Sequence, residues 1–265
     1  MLYEDVKIGN LLVPLLREIQ AGKFAIRDQK VHFHDIIVPE SPWMRTKVDP
    51  DRHCDRWLNV YFNYYKIIPR ACMNCWKIAV RVGELRDLMA LKKIQEKMAL
   101  PSKCGLETRW FIPKGKRWVA MWYSPLDGGL EMARELHRKI ELRVHTELGI
   151  DTKVALKRAC SEMEFHHGPS DKWQYKWQGI EAQLDNLIVG QVSLEDHGEE
   201  AKRLIVQRWI EKAWEESDPS VWDFASKESF PDGPVNYARS IHRAQDFVWP
   251  APRKETPDGI IAAIE

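Results

Sequence analysis

The sequence predicts an α+β fold built on a ferredoxin-like split βαβ sandwich, flanked by helices at both ends, and three observations predict it. Residues 76–82, WKIAVRV, alternate with the period of a half-buried strand, Trp76, Ile78, Val80 and Val82 against Lys77, Ala79 and Arg81. Two segments carry apolar residues at helical steps: Leu85, Leu88, Leu91, Ile94 and Met98, then Ala133, Leu136, Ile140, Val144 and Leu148. Between them lie two aromatic, β-prone runs, LETRWFI and RWVAMWY, joined by PKGK, where Gly115 is free to take positive φ. With KVALKRACSEMEF (153–165) as a last strand, residues 76–165 read β-α-β-β-α-β, two helices on one face of a four-stranded antiparallel sheet.

The remaining elements follow in order. Residues 3–21 have the pattern of an amphipathic helix, and KVHFHDIIV (30–38) that of a strand. The Pro-containing stretch PESPWMRTKVDPD is expected to be a loop, followed by a helix over 52–66 that IIPR ends. Pro101 stops the first core helix and Gly149 the second. Beyond 165 the chain reads as helical, with Gly168 and Pro169 as breakers, Ser170 or Asp171 as a cap, EEAKRLIVQRWIEKAWEE as the clearest helix and an irregular end. The expected organisation is an N-terminal helical extension (1–70) packed on a ferredoxin-like core with a cysteine site (71–165), then a C-terminal helical region (166–265).

Composition narrows the function classes. The chain has 265 residues, 44% of them apolar, enough for a substantial core. With 30% charged residues and no run near the ~20 apolar residues of a spanning helix, no membrane is expected, and the expected location is the cytoplasm. Forty basic against 39 acidic residues give a net charge of +1, so any polyanion site must be local. No Gly-rich nucleotide loop, nucleophile elbow or H-E-x-x-H occurs.

Five cysteines carry the sharpest signal. Cys72 and Cys75 form a C-x-x-C just before the first core strand, and Cys104 precedes the second. In a split βαβ those two strands are parallel and start at one end of the sheet. The fourth strand runs antiparallel beside the first and brings Cys160 to the same edge, and Cys54 opens the helix leading there. Scattered thiols that converge point to zinc or an iron–sulfur cluster, which the spacing does not distinguish. Cys72, Cys75 and Cys104 are the expected ligands, with Cys54 and Cys160 competing for the fourth place. A thiol redox pair has less support, because this C-x-x-C precedes a strand rather than opening a helix.

Cations and aromatics suggest what such a protein binds. Lys77, Arg81, Arg109 and Lys157 are expected on the sheet face opposite the helices, with Glu107, Glu162 and Glu164 as internal partners. The hairpin 109–123 interleaves Trp110, Phe111, Trp118, Trp122 and Tyr123 with Arg109, Lys114, Lys116 and Arg117, a mixture able to stack bases and neutralise phosphates, although no RNP-type sequence is present. Nucleic-acid binding or processing is therefore the expected function. The alternatives are an iron–sulfur or metal-dependent enzyme acting on an anionic small molecule, and a non-catalytic module docking a protein partner or a second copy through its tryptophans. For catalysis the candidates are Glu162, Glu164, His166 and His167, near Asp171, which have the chemistry for proton transfer or a hard metal. His32 and His34 form a His-x-His pair, with Tyr61, Tyr64 and Tyr65 downstream, as in nucleases that nick single-stranded DNA.

Overall fold

The computed structural model describes residues 11–33, 43–49, 51–107, 117–190 and 198–225. It is mixed α+β, with a five-stranded and a three-stranded sheet among the described residues. The larger sheet has the order β3-β5-β6-β4-β7, every neighbouring pair antiparallel: β3 is Trp43–Lys47, β4 Trp76–Val82, β5 Ser102–Leu106, β6 Trp118–Tyr123 and β7 Val154–Arg158. Strands β4 and β5 both oppose β6 and so run parallel to each other.

One face of this sheet is covered by long helices at Leu85–Met98 and Gly129–Leu148. The expected apolar stripes do meet there: Leu85, Leu88, Leu91, Ile94, Ile140 and Val144 are buried against Ile78 and Val80 of β4 and Trp118, Ala120 and Trp122 of β6. A later helix, Glu199–Glu215, adds Ile205, Trp209 and Ala213 to the same core. On the opposite face Ala79, Val119, Met121 and Tyr123 form a smaller buried cluster, with Trp43 packed against it. Alternation along β4 and β6 thus divides the side chains between two environments.

Three local expectations change. The stretch expected to be a loop contains β3, which joins the sheet by pairing Trp43 with Gly105 and Met44 with Cys104; the single buried Met44 and the open edge of β5 organise it, not an apolar repeat. The second strand of the core is Ser102–Leu106 rather than 106–112, so Cys104 lies inside it. The last strand ends at Arg158, and Ser161–His167 is helical: Ala159 turns the chain at φ 48°, and the side chains beyond it no longer have strand partners.

The second sheet is β1 (Phe24–Arg27), β2 (Lys30–Phe33) and β8 (Ile188–Gly190), with β1 and β2 closed by a turn at Asp28 and Gln29 in the left-handed region. Its core mixes distant parts of the chain: Leu15, Phe24, Val31, Tyr61, Phe62, Ile67, Cys72, Met163 and Leu184 are all buried in it. No helix among the described residues is long and apolar enough to cross a membrane.

Candidate metal centre

The backbone brings the thiols together before any side chain is considered. Pro69 precedes the short helix Arg70–Met73, the Cys72 N–H donates to the Pro69 carbonyl at 2.9 Å, and the Cys75 N–H donates to the Cys72 carbonyl at 3.3 Å, a tight turn that feeds β4. The Cys75 carbonyl in turn accepts from the Ala159 N–H at 2.7 Å, extending the pairing of Trp76 with Arg158 by one step. Cys160, the next residue, is thereby set beside Cys75. Cys54 caps the π-helical turn Asp55–Phe62, which continues as Asn63–Tyr65.

Four sulfurs consequently share one electrostatic environment. Burial pushes the Cys54 thiol up to about 12, with Cys160 and Cys75 adding to the effect, and raises Cys72 well above its ordinary value, with Cys75, Cys160 and Cys54 adding to the rise and Lys77 opposing it. Cys104 is not among them. It is fully buried, 0% exposed, in the core under the long helices, where burial pushes it up to about 12 and the ionisable neighbours are Lys92 and Glu96. The expected ligand trio therefore loses Cys104, because its place inside β5 turns it to the other face of the sheet, and Cys54 and Cys160 both join the C-x-x-C.

Two buried cations stand among these sulfurs. Lys77, 5% exposed, donates to Cys160 Sγ at 3.4 Å. Arg52, 6% exposed, donates through Nη1 to Cys75 Sγ at 2.8 Å, through Nη2 to the Ser124 carbonyl at 2.8 Å and through Nε to Asp49 Oδ2 at 3.1 Å, while its plane lies over the Tyr123 ring at 4.6 Å. Burial opposes the charged form of both, yet their pKa values are raised, chiefly by Cys160 and Cys75 around Lys77 and by Cys75 and Cys54 around Arg52. Sequence reasoning missed Arg52, Asp49 and Ser124 and read Tyr123 only as a base-stacking ring; the only signal was the closeness of Arg52 to Cys54 in DRHC.

Thiol donors of this kind suit zinc or iron and sulfide. Among the described residues, no three His, Cys, Asp or Glu side chains close tightly enough to hold one metal ion. Two of the four sulfurs are bonded by cations instead, Cys75 Sγ by Arg52 and Cys160 Sγ by Lys77.

The other expected site residues are placed as follows. Arg81 lies 4.0 Å from Glu107, and Lys157 bonds Ser161 Oγ and lies 3.9 Å from Glu164. Arg117 pairs with Glu216 at 3.2 Å. Trp118 and Trp122, expected to stack on bases, are 3% and 0% exposed in the helix-covered core, because alternation sends both rings inward. Glu164 accepts from Ser170 Oγ at 2.7 Å, His166 packs edge-on against Phe62, and His167 donates to the Lys66 carbonyl at 2.8 Å with its pKa lowered by burial. Glu162 lies on the same short helix. Tyr61 donates to Asp185 at 2.6 Å and Tyr65 to the Leu11 carbonyl at 2.7 Å, both as ties within the second core. His32, on β2, pairs with Ala25 of β1. His34, Arg109, Trp110, Phe111, Lys114 and Lys116 lie outside the described residues.

A cavity of about 570 Å³ opens at the same end of the sheet, lined in part by Tyr123, Asp49, Asp51, Asp127, Glu135 and Lys139. On the same sheet face towards the β3 edge, Lys103 lies 4.3 Å over the Trp43 ring, next to Arg45 in the register, and its charge acts on Cys54 and Tyr123. Compared with protein-family models, with curated proteins and with solved structures, the chain matches none.

Proposed function

We propose that this is a cysteine-ligated metal protein, with Cys54, Cys72, Cys75 and Cys160 holding zinc or an iron–sulfur cluster on the open face of a ferredoxin-like unit, and that it binds or processes nucleic acid. The observation that carries the reading is the gathering of four thiols around two buried cations. Lys77 is buried with Cys160 Sγ as its partner, while Arg52 has Asp49 at 3.1 Å as well as Cys75 Sγ, and a buried charge without a compensating anion costs several kcal/mol. Four thiolates around a divalent zinc, or around an oxidised four-iron cluster, would make a dianion that gives Lys77 a counter-charge and adds to Asp49 beside Arg52. Among the described residues, Asp49 is the carboxylate that bonds this group, through Arg52 Nε.

The ferredoxin-like assignment is supported by the strands of the unit lying in the order fourth, first, third, second, all antiparallel, with both crossover helices on one face. Strand β3 then extends the sheet beyond the second strand. Nucleic-acid binding is supported by the strip of Trp43, Arg45 and Lys103 at that edge, where a ring and two cations lie together. An enzyme acting on an anionic small molecule has less support, since the cavity beside Arg52 presents Asp49, Asp51, Asp127 and Glu135 against Lys139 alone.

The test is metal analysis of protein purified without oxygen. Cys54→Ser and Cys160→Ser should each lower the bound zinc or iron at least several-fold, and Cys104→Ala should leave it unchanged. Equal metal content in all three variants would refute the assignment.

A further inference from the structure

We propose that the cavity at the end of the larger sheet binds a small organic cation, an ammonium carried on an apolar body, with the body inside and the charged head held at the mouth by Asp51, Asp127 and Glu135. Binding there requires no metal at the thiols. The volume of about 570 Å³ lies within the ~300–1,000 Å³ of small-molecule pockets. Three parts of the chain form it: Asp49 and Asp51 before Arg52, Leu100 and Pro101 just before β5, and the stretch that runs from Tyr123 into the helix Gly129–Leu148.

The lining divides by chemistry. Leu100, Pro101, Tyr123, Leu126, Met132 and Leu136 give an apolar floor, beside which Met132 is 46% exposed. The charged groups are four carboxylates against the single ammonium of Lys139. Asp49 is already bonded by Arg52 at 3.1 Å. Asp51, Asp127 and Glu135 are exposed and make no side-chain hydrogen bond or ion pair among the described residues, so their charge is open at the mouth. The inner wall differs, because Arg52 lies 4.6 Å over the Tyr123 ring and repels a second cation there. An anion meets three unpaired carboxylates at the entrance, a bare metal ion gains nothing from the floor, and a neutral apolar molecule leaves the rim unused. An amphiphilic ammonium matches both parts, and its head, held among exposed carboxylates, avoids the cost of burying a charge.

The experiment is a titration of the full chain, carrying isotope-labelled methionine methyl groups, with hexylammonium, hexanol and hexanoate at constant ionic strength. The nuclear magnetic resonance signal of Met132, assigned with Met132→Leu, is the readout. Hexylammonium should shift that signal and bind at least ~10-fold more tightly than hexanol or hexanoate. Butylammonium, two methylenes shorter, should bind at least ~5-fold more weakly than hexylammonium. The double variant Asp127→Asn, Glu135→Gln should weaken hexylammonium at least ~5-fold and leave hexanol unchanged, and Asp51→Asn alone should weaken it about twofold should the double variant fail to fold. No movement of the Met132 signal with any of the three probes, hexanol or hexanoate binding as tightly as hexylammonium, or full affinity in the carboxylate variants would overturn the site. An equal response to calcium chloride would make the rim a metal site and overturn the organic cation.

Discussion

Replacing Arg52 by Ala should be among the most damaging changes in the protein, and its cost can be worked from the contacts. The guanidinium donates three hydrogen bonds, to Cys75 Sγ, the Ser124 carbonyl and Asp49 Oδ2, and stacks on Tyr123. Ser124 is fully buried, so its carbonyl loses a partner it cannot replace from solvent, a penalty of about 1–3 kcal/mol. The cation over the Tyr123 ring contributes about 1–2 kcal/mol in a desolvated setting. Together with the loss at sulfur, a total of about 3–5 kcal/mol is expected, the range for removing one member of a buried charged group. That is a large share of a folding free energy of about 5–15 kcal/mol. Urea unfolding of the metal-free protein, followed by far-ultraviolet circular dichroism, measures it. Arg52→Lys keeps the stem and the charge but not the planar fork, and should recover about half. A loss under about 1 kcal/mol for Arg52→Ala would refute the view that this guanidinium ties the 49–54 segment to the sheet.

Other expectations follow from the same contacts. Burial raises the Cys104 thiol from its ordinary 9.0 to about 12, so above pH 9 the unfolded chain releases a proton that the folded one keeps, and stability falls by up to ~1.4 kcal/mol per pH unit on its account. Cys104→Ala should flatten the alkaline side of the stability curve of the metal-free protein, and an unchanged slope in urea titrations above pH 9 would count against the burial argument. The double variant Trp43→Ala, Lys103→Ala should weaken binding of a single-stranded oligonucleotide, measured by fluorescence anisotropy, and lessen the salt slope by about one phosphate contact. The triple variant Lys114→Ala, Lys116→Ala, Arg117→Ala should do so more strongly, and full affinity in both would remove nucleic acid from the reading. Glu181 accepts from the Arg70 N–H at 2.9 Å and from Tyr175 Oη at 2.5 Å, so Glu181→Gln should cost about 1–2 kcal/mol and speed hydrogen exchange at the Arg70 and Cys72 amides.

The core elements were legible where a period persisted long enough. Strand β4 and the two long helices follow from the spacing of Ile78, Val80, Leu88, Leu91, Ile140 and Val144, and these residues are indeed the buried ones. Strand β3 was not legible, because WMRTK offers one inward apolar residue and owes its conformation to a partner more than fifty residues away. The same holds for the second sheet, whose three-residue β8 pairs with β2 across most of the chain. Cys104 was misplaced because the aromatic run after it outweighed the polar Ser102 and Lys103 that open the real strand. Cys75 and Cys160 were predictable as neighbours from strand direction alone. Arg52 was not, since nothing in the periodicity of 49–54 shows which way that segment turns.

The hydrogen bond from Ala159 to Cys75 has a consequence for the order in which the chain matures. Arg52 ties the segment before Cys54 to Cys75 without β7, whereas Cys160 reaches the group only through the pairing of β7 with β4. A chain emerging from the ribosome holds three of these thiols long before it holds the fourth. Any fragment ending before residue 160 therefore leaves Lys77 without its sulfur partner and the group open on one side. All four thiols are therefore together only on a chain made through residue 160.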